Sequence, residues 1–314
     1  MSDGRPAPAG GAAVHVALVL VQLMFASLAI VGRIVLPQFP ASALVASRVV
    51  GAALVLAAVN ALRGGPWVRD RGDLRRLFWL GTLGITLNQT LFVFGLKYTT
   101  AVNATILVTL VPVFTVLGSV VTRREPASPL KLAGIAVAGL GAIWLIGPDR
   151  LTLGAETALG NLLIVAGMAC YAAYFIYSKS VLARHDSLTV VTYVMLFAAV
   201  TILPIGWLGL TQLPAAGVPP RVWALVAYIV AFPTIGTYLL NIWALRRVSS
   251  HLVSVYIYLQ PLVTAAVAPL LLAGEGLTPR AAGAGLLIFA GLGAVIQAER
   301  LQRREVPLEA VPSE

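Results

Sequence analysis

Long stretches without Asp, Glu, Lys or Arg recur along the 314-residue chain, at 16–32, 34–47, 49–62, 77–96, 98–122, 132–148, 157–178, 187–220, 222–245, 252–274 and 281–298. About 20 apolar residues cross the hydrocarbon core of a bilayer, and only Arg48 parts the second run from the third, so the pattern predicts ten membrane helices. They fall near 14–36, 42–62, 77–97, 100–122, 128–147, 160–181, 187–210, 222–245, 250–272 and 279–297. The opening residues, MSDGRPAPAGGAA at 1–13, are small and rich in Pro and Gly and predict a disordered tail. A cleaved signal peptide is the competing reading of the first apolar segment. That segment is longer than an h-region of about 7 to 15 residues, and many more spans follow it.

Composition agrees: 59% of residues are hydrophobic and 11% charged, against about 25% charged in globular chains, with a mean hydropathy of +0.91. The net charge of +10 would suggest a nucleic-acid partner in a soluble protein, but its placement gives it another meaning. With the amino terminus inside, the cytoplasmic connections and tails hold Arg5, Arg63, Arg69, Arg71, Arg75, Arg76, Arg123, Arg124, Lys131, Lys179, Arg184, Arg246, Arg247, Arg300, Arg303 and Arg304, sixteen of the 22 basic residues. The positive-inside rule then puts both termini in the cytoplasm, with no nucleic acid needed to explain the charge. The single Cys170 forbids an intramolecular disulfide and a thiolate metal cluster.

Shifted by about 150 residues, the chain matches itself. The segment YTTAVNATILVTLVPVFTVLGSVVTRREPASP at 98–129 lies over RVSSHLVSVYIYLQPLVTAAVAPLLLAGEGLTP at 247–279, so that Pro112 meets Pro261, Glu125 meets Glu275 and Pro129 meets Pro279. Further on, AGLGAI at 138–143 returns as AGLGAV at 290–295, and Arg33 in the first helix meets Lys179 in the sixth. A first unit of five helices at 14–147, a connector at 148–159, a second unit at 160–297 and a tail at 298–314 account for the chain. Because five is odd, the second unit enters the membrane from the other side. The expected fold is an all-α polytopic membrane protein of two inverted five-helix repeats, the usual construction of secondary transporters. A larger bundle built by duplication alone is the plainer alternative.

These same segments, GLKYTTAVNATILVTLVPVF with the following REP and AGIAVAGLGAIWL, and their echo YIYLQPLVTAAVAPLLLAGEGLTP, resemble the EamA repeats of the drug/metabolite transporter superfamily over about residues 15–298. The resemblance implies a ten-helix inner-membrane transporter with a central cavity, often an exporter of amino acids or other metabolites, and leaves the substrate open. Met24-Phe25 stands where many relatives carry a tryptophan.

All twelve acidic residues fall in tails or connections on this map, so the buried acid that a proton-coupled cation exporter requires has no candidate. His15 and His251, near helix ends, read as interfacial residues or proton relays. Arg33, Arg48, Lys97 and Lys179 lie within or just inside helices and can snorkel. Arg48 is the exception, about two turns into SALVASRVVGAAL without a local acid, where a cation suits a carboxylate or phosphate of the cargo. Asn88, Gln89, Asn103, Thr105, Tyr171, Tyr174, Tyr238, Asn241, Tyr256 and Gln260 are costly against lipid and are expected to turn inward, for interhelical hydrogen bonds or for substrate. Tyr238 and Asn241 share a helical face, as do Tyr256 and Gln260; Tyr258 points elsewhere. Pro112 and Pro261 free the carbonyls of Val108 and Ile257 and predict matching kinks, as gating hinges or static bends.

Gly134, Gly139, Gly141, Gly285, Gly291 and Gly293 suit close helix packing and a candidate homodimer surface. GLGAIWLIG lacks the preceding strand of a nucleotide loop, and no catalytic grouping or cofactor motif is present. The expected cargo is a small zwitterionic or anionic metabolite. A multidrug exporter of lipophilic cations, a lipid-handling scaffold and a membrane enzyme are the competing readings.

Overall fold

The computed structural model describes residues 11–99, 101–147, 149, 151, 153–213, 217–263, 266 and 279–304. Glu275, most of the second half of predicted helix 9, residues 1–10 of the N-terminal tail, part of the 148–159 connector and the C-terminal tail from 305 lie outside them. Among the described residues the structure is helical, without strands. It comprises α1 (Ala12–Val35), α2 (Ala41–Leu62), α3 (Arg71–Gly95), α4 (Asn103–Val121), α5 (Pro129–Ile146), α6 (Ala155–Leu182), α7 (Ser187–Leu210), α8 (Pro220–Leu245), α9 starting as Ser250–Val255 and α10 (Pro279–Arg304). Among the described residues eight helices are long and apolar enough to cross a membrane, α2 to α8 and α10, and α1 carries a shorter apolar stretch. The protein is a multi-pass membrane protein.

Local chemistry places the ends. Asp70 accepts a hydrogen bond from the Asp73 N–H at the head of α3, Ser128 caps α5 ahead of Pro129, Asp186 caps α7 through Leu188 and Thr189, and Ser249 caps α9 through Leu252. Each accepts from an amide that the first turn leaves unpaired. Helix α3 begins six residues before its predicted start, α6 five before, and α10 runs seven past its predicted end. A charge-free run locates the part of a helix that lies in hydrocarbon, and the helix continues beyond it into the charged margin.

Helix α2 packs on α7, α5 on α10 and α4 on α9, while α3 lies against α6 and α7, and α8 against α1 and α2. Exchanging each helix with the one five places on leaves this set of contacts unchanged. Gly134 of α5 and Gly291 of α10 meet within the chain: a Cβ at Gly134 would sit 2.7 Å from the Gly291 carbonyl oxygen, and one at Gly141 3.0 Å from that of Ala284 in α10, whereas Gly139 lies against Tyr258 and Gly285 against Leu262. Gly134→Leu forces these helices apart and is expected to lower stability by about 1–3 kcal/mol, read as a lower Tm in detergent; an unchanged Tm would show that the contact yields.

Two features escaped the pattern. Helices α3 and α8 each contain a π-helical stretch, Thr82–Leu87 and Val230–Gly236, about 150 residues apart. Prolines mark two further irregularities. Helix α4 is interrupted at Thr109-Leu110 and restarts at Val111 with Pro112 in its first turn. In α9 a 3-10 turn at Tyr256–Tyr258 leads into the segment that holds Pro261.

Candidate functional site

Helices α1, α2, α3, α4, α6, α8 and α9 converge on a central cavity of about 170 Å3. Phe25, Leu28, Phe92, Val108, Val111, Met168 and Ile257 form its apolar walls, and Arg48, Asn88, Gln89, Tyr171, Tyr238 and Gln260 its polar ones. Six of the eleven residues that the sequence nominated for substrate thus come together.

Among the described residues Arg48 is the only charged one in that lining, and it is 7% exposed. Its Nε donates to the Thr234 hydroxyl at 3.0 Å. Among the described residues no carboxylate pairs with it. Tyr238 lies within electrostatic reach of Arg48, and Asn88 donates to the Gly167 carbonyl of α6 at 3.0 Å. A guanidinium fixed along one edge, in an apolar cavity with amides and phenols around it, suits an oxygen anion better than a cation.

The other nominees lie elsewhere. Tyr174 is fully buried behind the wall, its ring 6.0 Å from Tyr171 and 6.1 Å from Tyr238. Asn241 is buried one turn beyond Tyr238. Asn103 donates to Asn161 and to Thr99, both at 2.9 Å, tying α4 to α6. Thr105 is exposed, since two residues advance a helix by about 200° and cannot share a face with Asn103. Tyr256 and Gln260 also part company: Tyr256 bonds His15 at 2.6 Å, because the 3-10 turn between them takes three residues per turn and rotates the i, i+4 register.

A second polar cluster closes the end of the bundle that carries the 122–128, 183–186 and 246–249 connections. Glu125 accepts hydrogen bonds from the Ser250 N–H at 2.9 Å and hydroxyl at 2.7 Å and pairs with Lys179. Glu299 accepts from the Ser249 N–H at 3.1 Å and hydroxyl at 2.7 Å and pairs with Lys131 at 2.9 Å. Two carboxylates thus hold consecutive residues at the head of α9, where the helix dipole favours them. Lys179 is tied down rather than snorkelling. His251 is wholly buried against Ser119 rather than interfacial. Glu299, expected in the tail, sits inside α10. The consecutive serines 249 and 250 were the signal in the sequence for this arrangement.

Burial pushes the Glu125 carboxyl up, but the Lys179 charge and the hydrogen bonds from Lys179 and Ser250 outweigh it and hold the group below its ordinary value. A carboxyl lowered in the fold contributes stability that is present above its unfolded value, about 4.3, and is lost as pH falls through the lower folded value. Acidification across that window is expected to lower the Tm of the wild type more than that of Glu125→Gln, which has no proton to take up there. Parallel profiles of Tm against pH would remove Glu125 from this account.

The sequence profile of the EamA-like transporter family matches the chain twice, over residues 13–147 and 158–297. The chain is 30% identical, over 92% of its length and 95% of the relative's, to a protein of Streptantibioticus cattleyicolor named "Probable terminal-alkyne amino-acid exporter". It is 29% identical, over 59% of its length, to an "Uncharacterized transporter" of Archaeoglobus fulgidus, of which the match spans 64%. It is 24% identical to the "Uncharacterized transporter YyaM" of Bacillus subtilis, over 69% of this chain and 68% of that one. A solved crystal structure 20% identical in sequence superposes with a TM-score of 0.76, covering 92% of this chain and 98% of the other.

Proposed function

This chain belongs to the EamA-like transporter family, and on that premise we propose that it exports an amino acid or a related small zwitterionic or anionic metabolite across the inner membrane by alternating access. The observation that carries the cargo class is the buried Arg48 guanidinium, held on one edge by Thr234 in a cavity whose lining, among the described residues, contains no carboxylate. A described lining without a carboxylate disfavours an exporter of lipophilic cations, which needs an acid to pair with its cargo. The named amino-acid exporter among the relatives points the same way.

The architecture belonging to this reading is ten spans in two inverted repeats. The double match to one family profile supports it, as do helix contacts that survive exchange of the two halves and the paired π-helical stretches. Both termini then face the cytoplasm, and the Glu125 and Glu299 clusters close the cytoplasmic end. Pro112 and Pro261 serve as hinges in matching helices, each next to an irregular turn able to take up a change of angle.

Counterflow in proteoliposomes with labelled amino acids, organic anions and lipophilic cations tests the cargo class. Uptake of a zwitterion or anion is the expected result; movement of cations alone, or of nothing in the panel, would overturn it. Repeating the assay with the pH gradient collapsed separates proton exchange from uniport.

A further inference from the structure

Thr234 occupies a position that no cavity-lining pattern singles out, in the π-helical stretch of α8, 1% exposed. The cause is local. In a regular α-helix the Ile229 carbonyl would accept the N–H of residue 233, but that residue is Pro233 and has none. The π-helical register that passes Pro233 turns the Ile229 carbonyl to the Thr234 N–H instead, and the Thr234 hydroxyl also donates to that oxygen, at 2.9 Å. Its single proton is thereby committed, and its lone pairs are left to receive a donor, which is the Arg48 Nε–H at 3.0 Å.

Resting on the cavity reading above, we infer that Thr234 is a positioning residue that selects which edge of the Arg48 guanidinium meets the cargo, and thereby sets a preference for a carboxylate-sized, bidentate oxygen anion. A guanidinium offers five N–H donors in a planar fork. With the Nε–H committed to Thr234, the side edge formed by Nε and one Nη is occupied, and the end-on Nη1/Nη2 pair is the fork left for two oxygens of one anionic group. The same bond removes the freedom of a long side chain to swing, so that less ordering is required when cargo binds.

The other half of the chain supplies a built-in comparison. Thr86, 148 residues earlier, lies in the π-helical stretch of α3 and reaches across to α7 as Thr234 reaches across to α2. Its hydroxyl meets Thr201 Oγ1 at 2.7 Å and the Ala198 carbonyl at 3.3 Å, neutral groups where the other half has Arg48. Of two corresponding threonines, one orients a cation at the cavity and the other orients none. The charged end of the cargo is therefore held on the α2 and α8 side, with Asn88 and Gln89 of α3 left for its remaining polar groups.

The test is counterflow kinetics in proteoliposomes with a panel of labelled amino acids, monocarboxylates and lipophilic cations, on Thr234→Val, Thr234→Ser, Thr86→Val, Arg48→Gln and the double variant of Thr234→Val with Arg48→Gln. Thr234→Val keeps the shape and removes the acceptor. It is expected to raise KM for a carboxylate cargo about 2- to 10-fold, the range of one net hydrogen bond, with Vmax retained. Thr234→Ser restores the wild-type KM, Thr86→Val leaves KM unchanged, and Thr234→Val adds nothing in the Arg48→Gln background. If Arg48→Gln changes KM while Thr234→Val does not, the cavity reading stands and this inference falls. The same holds if Thr234→Val and Thr86→Val act alike, or if Thr234→Val acts equally with and without Arg48. If Arg48→Gln is itself without effect, or the panel yields only cations or no transport, the cavity reading fails and takes this inference with it.

Discussion

Arg48→Gln is expected to weaken a carboxylate-bearing cargo by roughly 10- to 150-fold, the equivalent of about 1.5–3 kcal/mol for hydrogen bonds to a charged partner. The size follows from the surroundings. Arg48 is 7% exposed and its cavity has mostly apolar walls, so water competes little and no described carboxylate of the protein takes the anion's place. Glutamine keeps a polar side chain whose amide N–H can still donate to Thr234, but it carries no charge and no fork. Arg48→Lys keeps the charge alone and falls between the two, since an ammonium is a point charge without bidentate geometry. The measurement is KM in counterflow for each variant, with protein folding checked by the Tm. An unaltered KM and an unaltered order of preference among zwitterions, anions and cations in Arg48→Gln would remove the electropositive cavity from the account.

Lys131→Met is expected to produce the largest loss of stability at the other cluster, about 3–5 kcal/mol, the cost of leaving a buried carboxylate without its partner. The Lys131 side chain is 2% exposed and that of Glu299 11%, and Lys131 also donates to Gln302 at 2.7 Å. Lys179→Met, whose side chain is 32% exposed in the matching pair with Glu125, costs less, because solvent reaches that ammonium and screens it. Adding Glu299→Met to Lys131→Met recovers much of the loss, since two apolar side chains of similar volume leave no stranded charge. Thermal unfolding in detergent separates these outcomes; a double variant no more stable than Lys131→Met alone would mean that Glu299 acts through Ser249 rather than through the ion pair.

The sequence alone determined that the chain is a multi-pass helical membrane protein, showed the self-match between its two halves and nominated Arg48. Those properties are written in composition and period: a charge in hydrocarbon costs several kcal/mol wherever it sits, so the charge-free runs mark the helices and an unpaired arginine within them stands out. It also nominated Asn88, Gln89, Tyr171, Tyr238 and Gln260, which the structure brings to the cavity wall, because polar groups avoid lipid. It could not separate them from Asn103, Thr105, Tyr174, Asn241 and Tyr256. Avoiding lipid places a side chain inside the bundle without saying what it meets there, and the 3-10 turn at 256–258 and the break at 109–110 shift helical faces in a way that a constant 3.6-residue period does not register. Only the tertiary structure decided the partners. Thr234 meets Arg48 from 186 residues away, and Glu125 and Glu299 arrive from different connections and helices at two consecutive serines. These are pairings between distant segments, set by how the helices cross, and no local pattern in the chain carries that information.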